Sequence, residues 1–258
     1  MSAFRAKCPD CNTYTAVALG PSYECHVCGR EFGAGLVRVP RAWGAGGDAM
    51  AEAAFLPLPF PEAAVIAEDT FGEQSLALAS ELPERPLVLG GCCCAHVGAF
   101  EALESRFDRL AVIWFDAHGD LNTVESSPTG NLWATPLRML VDSGAVAAGD
   151  VALVGARNLD PPEEEFIAAS GVHVGRDTIG HALDGADGVY VAFDADSVDP
   201  EELDVFMPEP DGLTLDQVDV AFREICERTL VVGAGFTALA PNERNVEPVT
   251  RLAVALGL

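Results

Sequence analysis

The chain has 258 residues, 49% of them apolar, and 15 basic against 40 acidic residues give a formal charge of −25. That length suits one large domain with or without a small module, and the apolar share argues against global disorder. No apolar run reaches the roughly 18 residues that span a bilayer, the opening MSAFRAKCPDC lacks the apolar segment of a secretory signal, and so acidic a balance disfavours nucleic acid as a partner. A cytoplasmic protein is expected.

The first feature along the chain is a pair of knuckles. Cys8 and Cys11 lie in CPDC and Cys25 and Cys28 in CHVC, with 13 residues between the pairs. Four thiolates at that spacing reach the corners of a tetrahedron, and TYTAVAL and PSYE between them read as short strands. A module of about 35 residues buries too little core to fold alone, so a metal would supply the folding energy. The pattern resembles a zinc ribbon over residues 1–40, holding one structural Zn²⁺. His26, inside the second knuckle, is surplus to the four cysteines. With this net charge the module is expected to be a structural lid or an oligomer contact, not a nucleic-acid reader.

Residues 36–62 are rich in Gly, Pro and Ala, which puts the domain boundary near residue 40. The stretch is expected to pack as an irregular arm, because Trp43, Phe55, Leu58 and Phe60 are costly to expose. Over residues 41–258 strands then alternate with helices: PLVLGG, LAVIWF, VALVGA, GVYVAFD and LVVGAGF read as strands, and AHVGAFEALESRF, TPLRMLVDSG, PPEEEFIAASG, LTLDQVDVAFREICERT (capped by Thr214) and EPVTRLAVALGL as helices. Short apolar strands separated by helices imply a mainly parallel sheet covered on both faces. The ligand site of such a sheet lies beyond the C-terminal ends of the strands.

Acids gather at those ends. Asp116, His118 and Asp120 occupy alternate positions in FDAHGD, as do Asp194 and Asp196 in FDADSVDP. Alternate residues of an extended stretch point the same way, so each set can meet one centre. Four converging carboxylates repel unless cations separate them, and oxygen-rich sets with an imidazole suit Mn²⁺ or Mg²⁺.

The DAHGDLNT and FDADSVDP stretches, with SSPTGN, GARNLDPPEEEF and PEPDGLTL, resemble the ureohydrolase family of arginases, agmatinases and formiminoglutamases from about Leu87 to the C-terminus. The resemblance implies a three-layer arginase-like α/β fold and a small-molecule substrate. It also implies two Mn²⁺ sharing a bridging hydroxide, hydrolysis at an amidine or guanidine carbon, and a homo-oligomer, trimeric or hexameric. Asp116 and Asp194 then correspond to bridging ligands and His118 and Asp196 to ligands of one ion. Asp120 corresponds to the ligand of the other ion that also holds the hydroxide, so Asp120 and His118 are the catalytic candidates. Thr129 and Asn131 match positions that hold a substrate carboxylate. Asp160 and Glu163 match positions near its amino group, with Asn158 replacing an acid.

The sequence departs from that family at three points. In GGCCCAHVGA, Cys93 stands where the first metal ligand is usually His, and His96 follows at i+3, on the same helical face; either could contact the metal. A thiolate would shift that site toward Zn²⁺ or Fe²⁺, while Cys92 and Cys94 suit apolar packing. Trp133 replaces a proton-shuttling His in the substrate pocket. Ala238 replaces the Glu that pairs with a guanidinium, with Glu243 five residues on. Arginine is therefore a doubtful substrate. A pseudoenzyme acting through its ribbon and a mononuclear deacetylase-like amidohydrolase are the alternatives. The chain is also short for the family ahead of Gly90-Gly91, so the ribbon and arm are expected to stand in for the first strand and a loop over the site. His173, His181 and Cys226 read as packing or surface residues. Finally, Lys7 is the sole lysine against 14 arginines, and dispersed acids with almost no lysine suggest adaptation to high salt.

Overall fold

The computed structural model describes residues 5–6, 8, 10–11, 13, 15–19 and 22–258. Lys7, and Tyr14 and Pro21 of the first two expected strands, lie outside the described residues. The elements run β1 (Arg5–Ala6), β2 (Ala16–Leu19), β3 (Ser22–Cys25), β4 (Glu31–Val39), α1 (Asp48–Ala53), β5 (Glu62–Val65), α2 (Phe71–Glu81), β6 (Arg85–Gly90), α3 (Cys94–Glu104) and β7 (Leu110–Phe115). They continue as α4 (Pro136–Ser143), β8 (Val151–Val154), α5 (Pro161–Ser170), β9 (His173–Val174), α6 (Ile179–Ala182), β10 (Gly188–Asp194), α7 (Leu215–Arg228), β11 (Val231–Thr237) and α8 (Val246–Ala255).

One sheet holds every described strand, in the order β1-β2-β3-β4-β6-β11-β10-β7-β8-β9, with β5 also on β4. From β4 onward neighbours are parallel, and β1 to β4 are antiparallel. Period-two alternation splits the core into two layers. Along β7, Ala111, Ile113 and Phe115 face the layer covered by α1, α6, α7 and α8. Leu110, Val112 and Trp114 face the layer covered by α2 to α5. The result is the three-layer, mainly parallel α/β fold that the strand pattern implies. At α7 the Thr214 hydroxyl accepts from Gln217 N, and Gln217 Oε1 accepts from Thr214 N, a reciprocal cap. No helix among the described residues is long and apolar enough to cross a membrane.

The structure differs from the sequence reading mostly before residue 85. Strand β4 carries Gly33 and Gly35, which weaken a strand signal. It nevertheless pairs with β3 through Glu31, Phe32 and Gly33 and with β6 through residues 34–39. A boundary at residue 40 therefore falls just after a strand that the module and the large domain share. The arm is not wholly irregular, since it contains α1. Leu58 is buried, whereas Phe55 is 56% exposed, with the Arg38 guanidinium over its ring.

Strand direction also settles where the cysteine module lies. It joins the N-terminal half of β4, about 26 Å of strand away from the C-terminal rim at roughly 3.3 Å per residue. A lid over that rim does not fit this placement. Arg30 instead ties the module to Glu84, at the start of β6.

Candidate metal centre and substrate cleft

Three strand ends build the site. After β6 the chain turns at Gly91, where a Cβ would lie 2.5 Å from Pro40 O. Only glycine lets the arm cross so closely. The turn leaves Cys93 as the residue capping α3, with its Sγ 2.9 Å from Asp194 Oδ2 and 3.9 Å from Asp116 Oδ2.

At the end of β7, Asp116 Oδ2 accepts from Trp114 Nε1 at 3.0 Å and Oδ1 from His118 N at 2.7 Å. At the end of β10, Asp194 Oδ1 accepts from Asp196 N at 2.9 Å, and Asp196 Oδ1 from Ala117 N at 3.0 Å. These hydrogen bonds fix the carboxylates and leave Asp194 Oδ2 facing Cys93 and Asp196 Oδ2 facing His118. His118 Nδ1 sits 3.0 Å from Asp196 Oδ2 and 3.4 Å from Asp116 Oδ1. Asp120 takes a left-handed backbone (φ 52°), a strained state for a side-chain-bearing residue. Hydrogen bonds on both sides hold it there, from Arg138 N to its carbonyl and from Leu121 N to Glu163 Oε1.

The result is two overlapping ligand sets, Cys93–Asp116–Asp120 and Asp116–His118–Asp196, each with its ligand atoms within 4.8 Å of one another. Burial first, then the neighbouring carboxylates, push Asp120 and Asp194 well above the usual carboxylate range. Burial and Asp196 push Asp116 up to about 6. Burial also raises the Cys93 thiol, and Asp194, Asp120 and Asp116 raise it further. At Asp196 burial acts upward, but the His118 hydrogen bond and charge outweigh it and hold the carboxyl down. Burial would lower His118, yet the hydrogen bonds and charges of Asp116 and Asp196 lift it to about 12. Asp120 Oδ2 is buried with no hydrogen-bond partner. A repelling acid cluster with an orphaned oxygen is a site short of positive charge, and the donor set fits divalent cations.

The cluster forms the floor of a cleft of about 240 Å³, whose walls include Met50, Thr129, Asn131, Trp133, Met207 and Ala238. The arm supplies one wall: Ala45 N donates to Asn131 Oδ1, Leu132 N to Trp43 O, and the Trp133 ring fills the space beside Gly44 and Gly47. Trp133 also meets Phe206 edge-on, so its indole is a packed wall of the cleft.

Several candidates sit differently from expectation. His96 does not join the ligand sets. It lies one position short of a turn beyond Cys93 and faces the sheet, where Gly235 leaves room for the ring and Tyr190 and Thr237 take its nitrogens. Glu163 lines the cleft, but both its oxygens accept from backbone, at Leu121 N and Asp160 N. Asp160 Oδ2 accepts from Asn122 Nδ2. These two acids therefore shape the loop more than they offer free oxygens to a ligand. Glu243 is exposed and does not line the cleft. His173 and His181 pack against each other, with ring centroids 5.4 Å apart. The residues that sequence reasoning passed over include Met50 and Met207 in the walls and Glu209, whose Oε1 lies 3.7 Å from His118 Nε2 and accepts from Asn158. Glu209 stands in the PEPDGLTL stretch, the one signal that pointed to it.

At the other end of the sheet Cys8, Cys11, Cys25 and Cys28 form a third ligand set, a group that could hold zinc. His26 is exposed and outside it. The Thr15 hydroxyl, 3.2 Å from Cys25 Sγ, helps hold that thiol down to about 5.

Comparison with known proteins agrees with this geometry. The Arginase family model matches residues 62–257. An arginase of Bacillus caldovelox is 32% identical over 200 residues, covering 66% of this chain and 66% of that protein. The chain thus matches just under two thirds of that relative's length. The solved native structure of the Bacillus caldovelox arginase superposes with a TM-score of 0.73 and 25% identity, over 86% of this chain and 97% of that one. Proclavaminate amidino hydrolase from Streptomyces clavuligerus shares the fold at a TM-score of 0.69 and 20% identity, over 88% and 92%. Matched by that family model along most of its length, the chain belongs to the arginase family.

Proposed function

We propose that this protein is a metal-dependent hydrolase of C–N bonds in small amidino- or guanidino-type molecules, with arginine itself disfavoured. The observation that carries the reading is Asp120, whose Oδ2 is buried without a partner and which belongs to one of two ligand sets that share Asp116. A shared carboxylate favours two cations over one. Two divalent ions bound there, Mn²⁺ with Zn²⁺ or Fe²⁺ as the option beside the thiolate, would activate water and stabilise developing negative charge.

The chain's own groups would do the rest. Cys93 and Asp120 would serve one ion, His118 and Asp196 the other, and Asp116 and Asp194 both. Thr129 and Asn131 present a hydroxyl and an amide at the cleft wall for a polar substrate end. The Trp133 indole can donate a hydrogen bond but cannot relay a proton near neutral pH. Ala238 brings only a methyl where a guanidinium would need a bidentate carboxylate. Both changes favour a substrate less basic than arginine. The four-cysteine module would hold one structural Zn²⁺, far from the chemistry.

Metal analysis together with a substrate screen tests this. After reconstitution with Mn²⁺ and Zn²⁺ we expect two divalent ions in the large domain besides one in the module, and turnover of a guanidino or formimino compound in molar salt. A single ion in the large domain, turnover confined to ureido or acetamido compounds, or no turnover in any of the four classes would overturn the reading.

A further inference from the structure

The chemistry above leaves one buried polar set unused. His96 on α3 is fully enclosed, its ring edge-on to Trp114 and Tyr190. Its Nδ1 is 3.1 Å from the Tyr190 hydroxyl on β10, and its Nε2 is 3.2 Å from the Thr237 hydroxyl at the end of β11. Thr237 Oγ1 is in turn 3.2 Å from Cys93 Sγ. The space is built for this arrangement, since a Cβ on Gly235, in the middle of β11, would lie 2.6 Å from both His96 Nδ1 and the Tyr190 hydroxyl. A glycine inside a strand weakens it, and here the gap holds an imidazole.

The direction of each hydrogen bond follows from the inventory of donors. A neutral imidazole has one donor and one acceptor nitrogen, and burial keeps His96 neutral, down at about 3. If Thr237 donated to Nε2, Nδ1–H would donate to Tyr190, and the buried Tyr190 O–H would have no acceptor among the described residues, a costly loss. The opposite order satisfies every group: Tyr190 O–H donates to Nδ1, Nε2–H donates to Thr237 Oγ1, and the Thr237 hydroxyl has two acceptors in reach, Phe193 O at 3.4 Å and Cys93 Sγ at 3.2 Å, of which a charged sulfur is the stronger. A sulfur that ligates a cation is a thiolate and can only accept. The chain therefore ends on Cys93 with the polarity a metal-bound thiolate requires.

We propose that Tyr190, His96 and Thr237 are positioning residues, a one-directional hydrogen-bond chain that orients Cys93 Sγ as a metal ligand and draws electron density from it. The inference rests on the metal-centre reading above. Its consequence is that the sulfur donates less charge to the cation than an unbonded thiolate would, leaving the cation a stronger Lewis acid. Groups around a ligand that orient and tune it are worth about 10–100-fold in metal affinity.

The test uses the full chain with its N-terminal module filled by Zn²⁺ and the large domain titrated with Co²⁺. The sulfur-to-cobalt charge-transfer band is isolated by subtracting the spectrum of Cys93→Ser. We expect wild type and Thr237→Ser to share one band position. Thr237→Val, which keeps the shape and loses the donor, and His96→Phe should move the band to longer wavelength and weaken Co²⁺ binding about 10-fold or more. Tyr190→Phe should shift it the same way by less. A band at the wild-type position with unchanged affinity in Thr237→Val would overturn the chain's role even if His96→Phe fails to fold. No Cys93-dependent band in the wild type would instead overturn the metal-centre reading, and this inference with it.

Discussion

The two rims of the sheet both gather metal-binding side chains, by opposite means. At the N-terminal rim, Cys8, Cys11, Cys25 and Cys28 come from one short stretch, and among the described residues the apolar cluster around them adds just Ala16, Tyr23, Phe32 and Ala34, with Ala18 packed against it. At the C-terminal rim, Cys93, Asp116, Asp120 and Asp194 come from three distant strands and are almost completely buried on a large core. With so small a core the first site would lean on a metal to fold, whereas the second is held open by the scaffold at an electrostatic cost. A ligand cluster alone thus says little about role. What separates folding metal from reaction metal is whether the surrounding core could stand without it.

The sharpest way to break this contrast is Asp120→Asn. It removes an anionic ligand and keeps the shape, so turnover of the best substrate from the screen should fall about 10³-fold or more, several kcal/mol of charge stabilisation. The metal-free variant should melt no lower than the wild type, because a repelling buried acid is gone. A low-melting variant would mean that the rim needs its metal to fold, as the module does.

Cys25→Ser should act at the opposite rim. We expect one metal fewer, module unfolding that costs several kcal/mol of local stability, and Co²⁺ affinity in the large domain close to wild type. A matching loss of affinity at the far rim would show that the two sites are coupled through β4.

A third test is the pH dependence of the metal-free protein. Asp116 is raised from 3.8 to about 6 when folded, and Asp120 and Asp194 are raised as well. The folded state then binds more protons than the unfolded one, so this contribution makes stability fall as pH rises from near 4 through 6 and beyond. For Asp116 alone the span is on the order of 2–3 kcal/mol. Denaturant midpoints of chelated protein at pH 5 and pH 7.5 should show the loss, and added Mn²⁺ should reverse it. A midpoint indifferent to pH would remove the electrostatic cost assigned to this rim.

The smallest expected effect is salt. With a formal charge of −25, screening of surface repulsion should raise the melting temperature by a few degrees between 0.1 and 2 M KCl, roughly 1 kcal/mol. A flat response would remove the link between the missing lysines and a salty environment.

Much of the large domain was legible in advance. From PLVLGG onward the five strands read from the chain are continuous apolar runs with caps and glycines at their ends, signals that depend only on neighbours, whereas the two-residue β9 carries no such signal. The acids of FDAHGD and FDADSVDP were legible because alternate residues at a strand end share a direction. Strand β4 was not, since Gly33 and Gly35 blunt its pattern and its pairing with β5 and β6 is long-range. Phe55 was misjudged because only packing decides which aromatic of an arm finds a pocket.

The choice between Cys93 and His96 shows the limit most plainly. The residue order sets both at the start of one helix, three apart, and helical spacing allows either to reach the same cation. Gly235, more than a hundred residues away, opens the space that takes His96, and Asp194 and Thr237 receive Cys93. Local chemistry in the chain specifies the donors, the strands and the family. Which donors meet depends on the space that distant elements leave, a property of packing that no stretch of sequence contains.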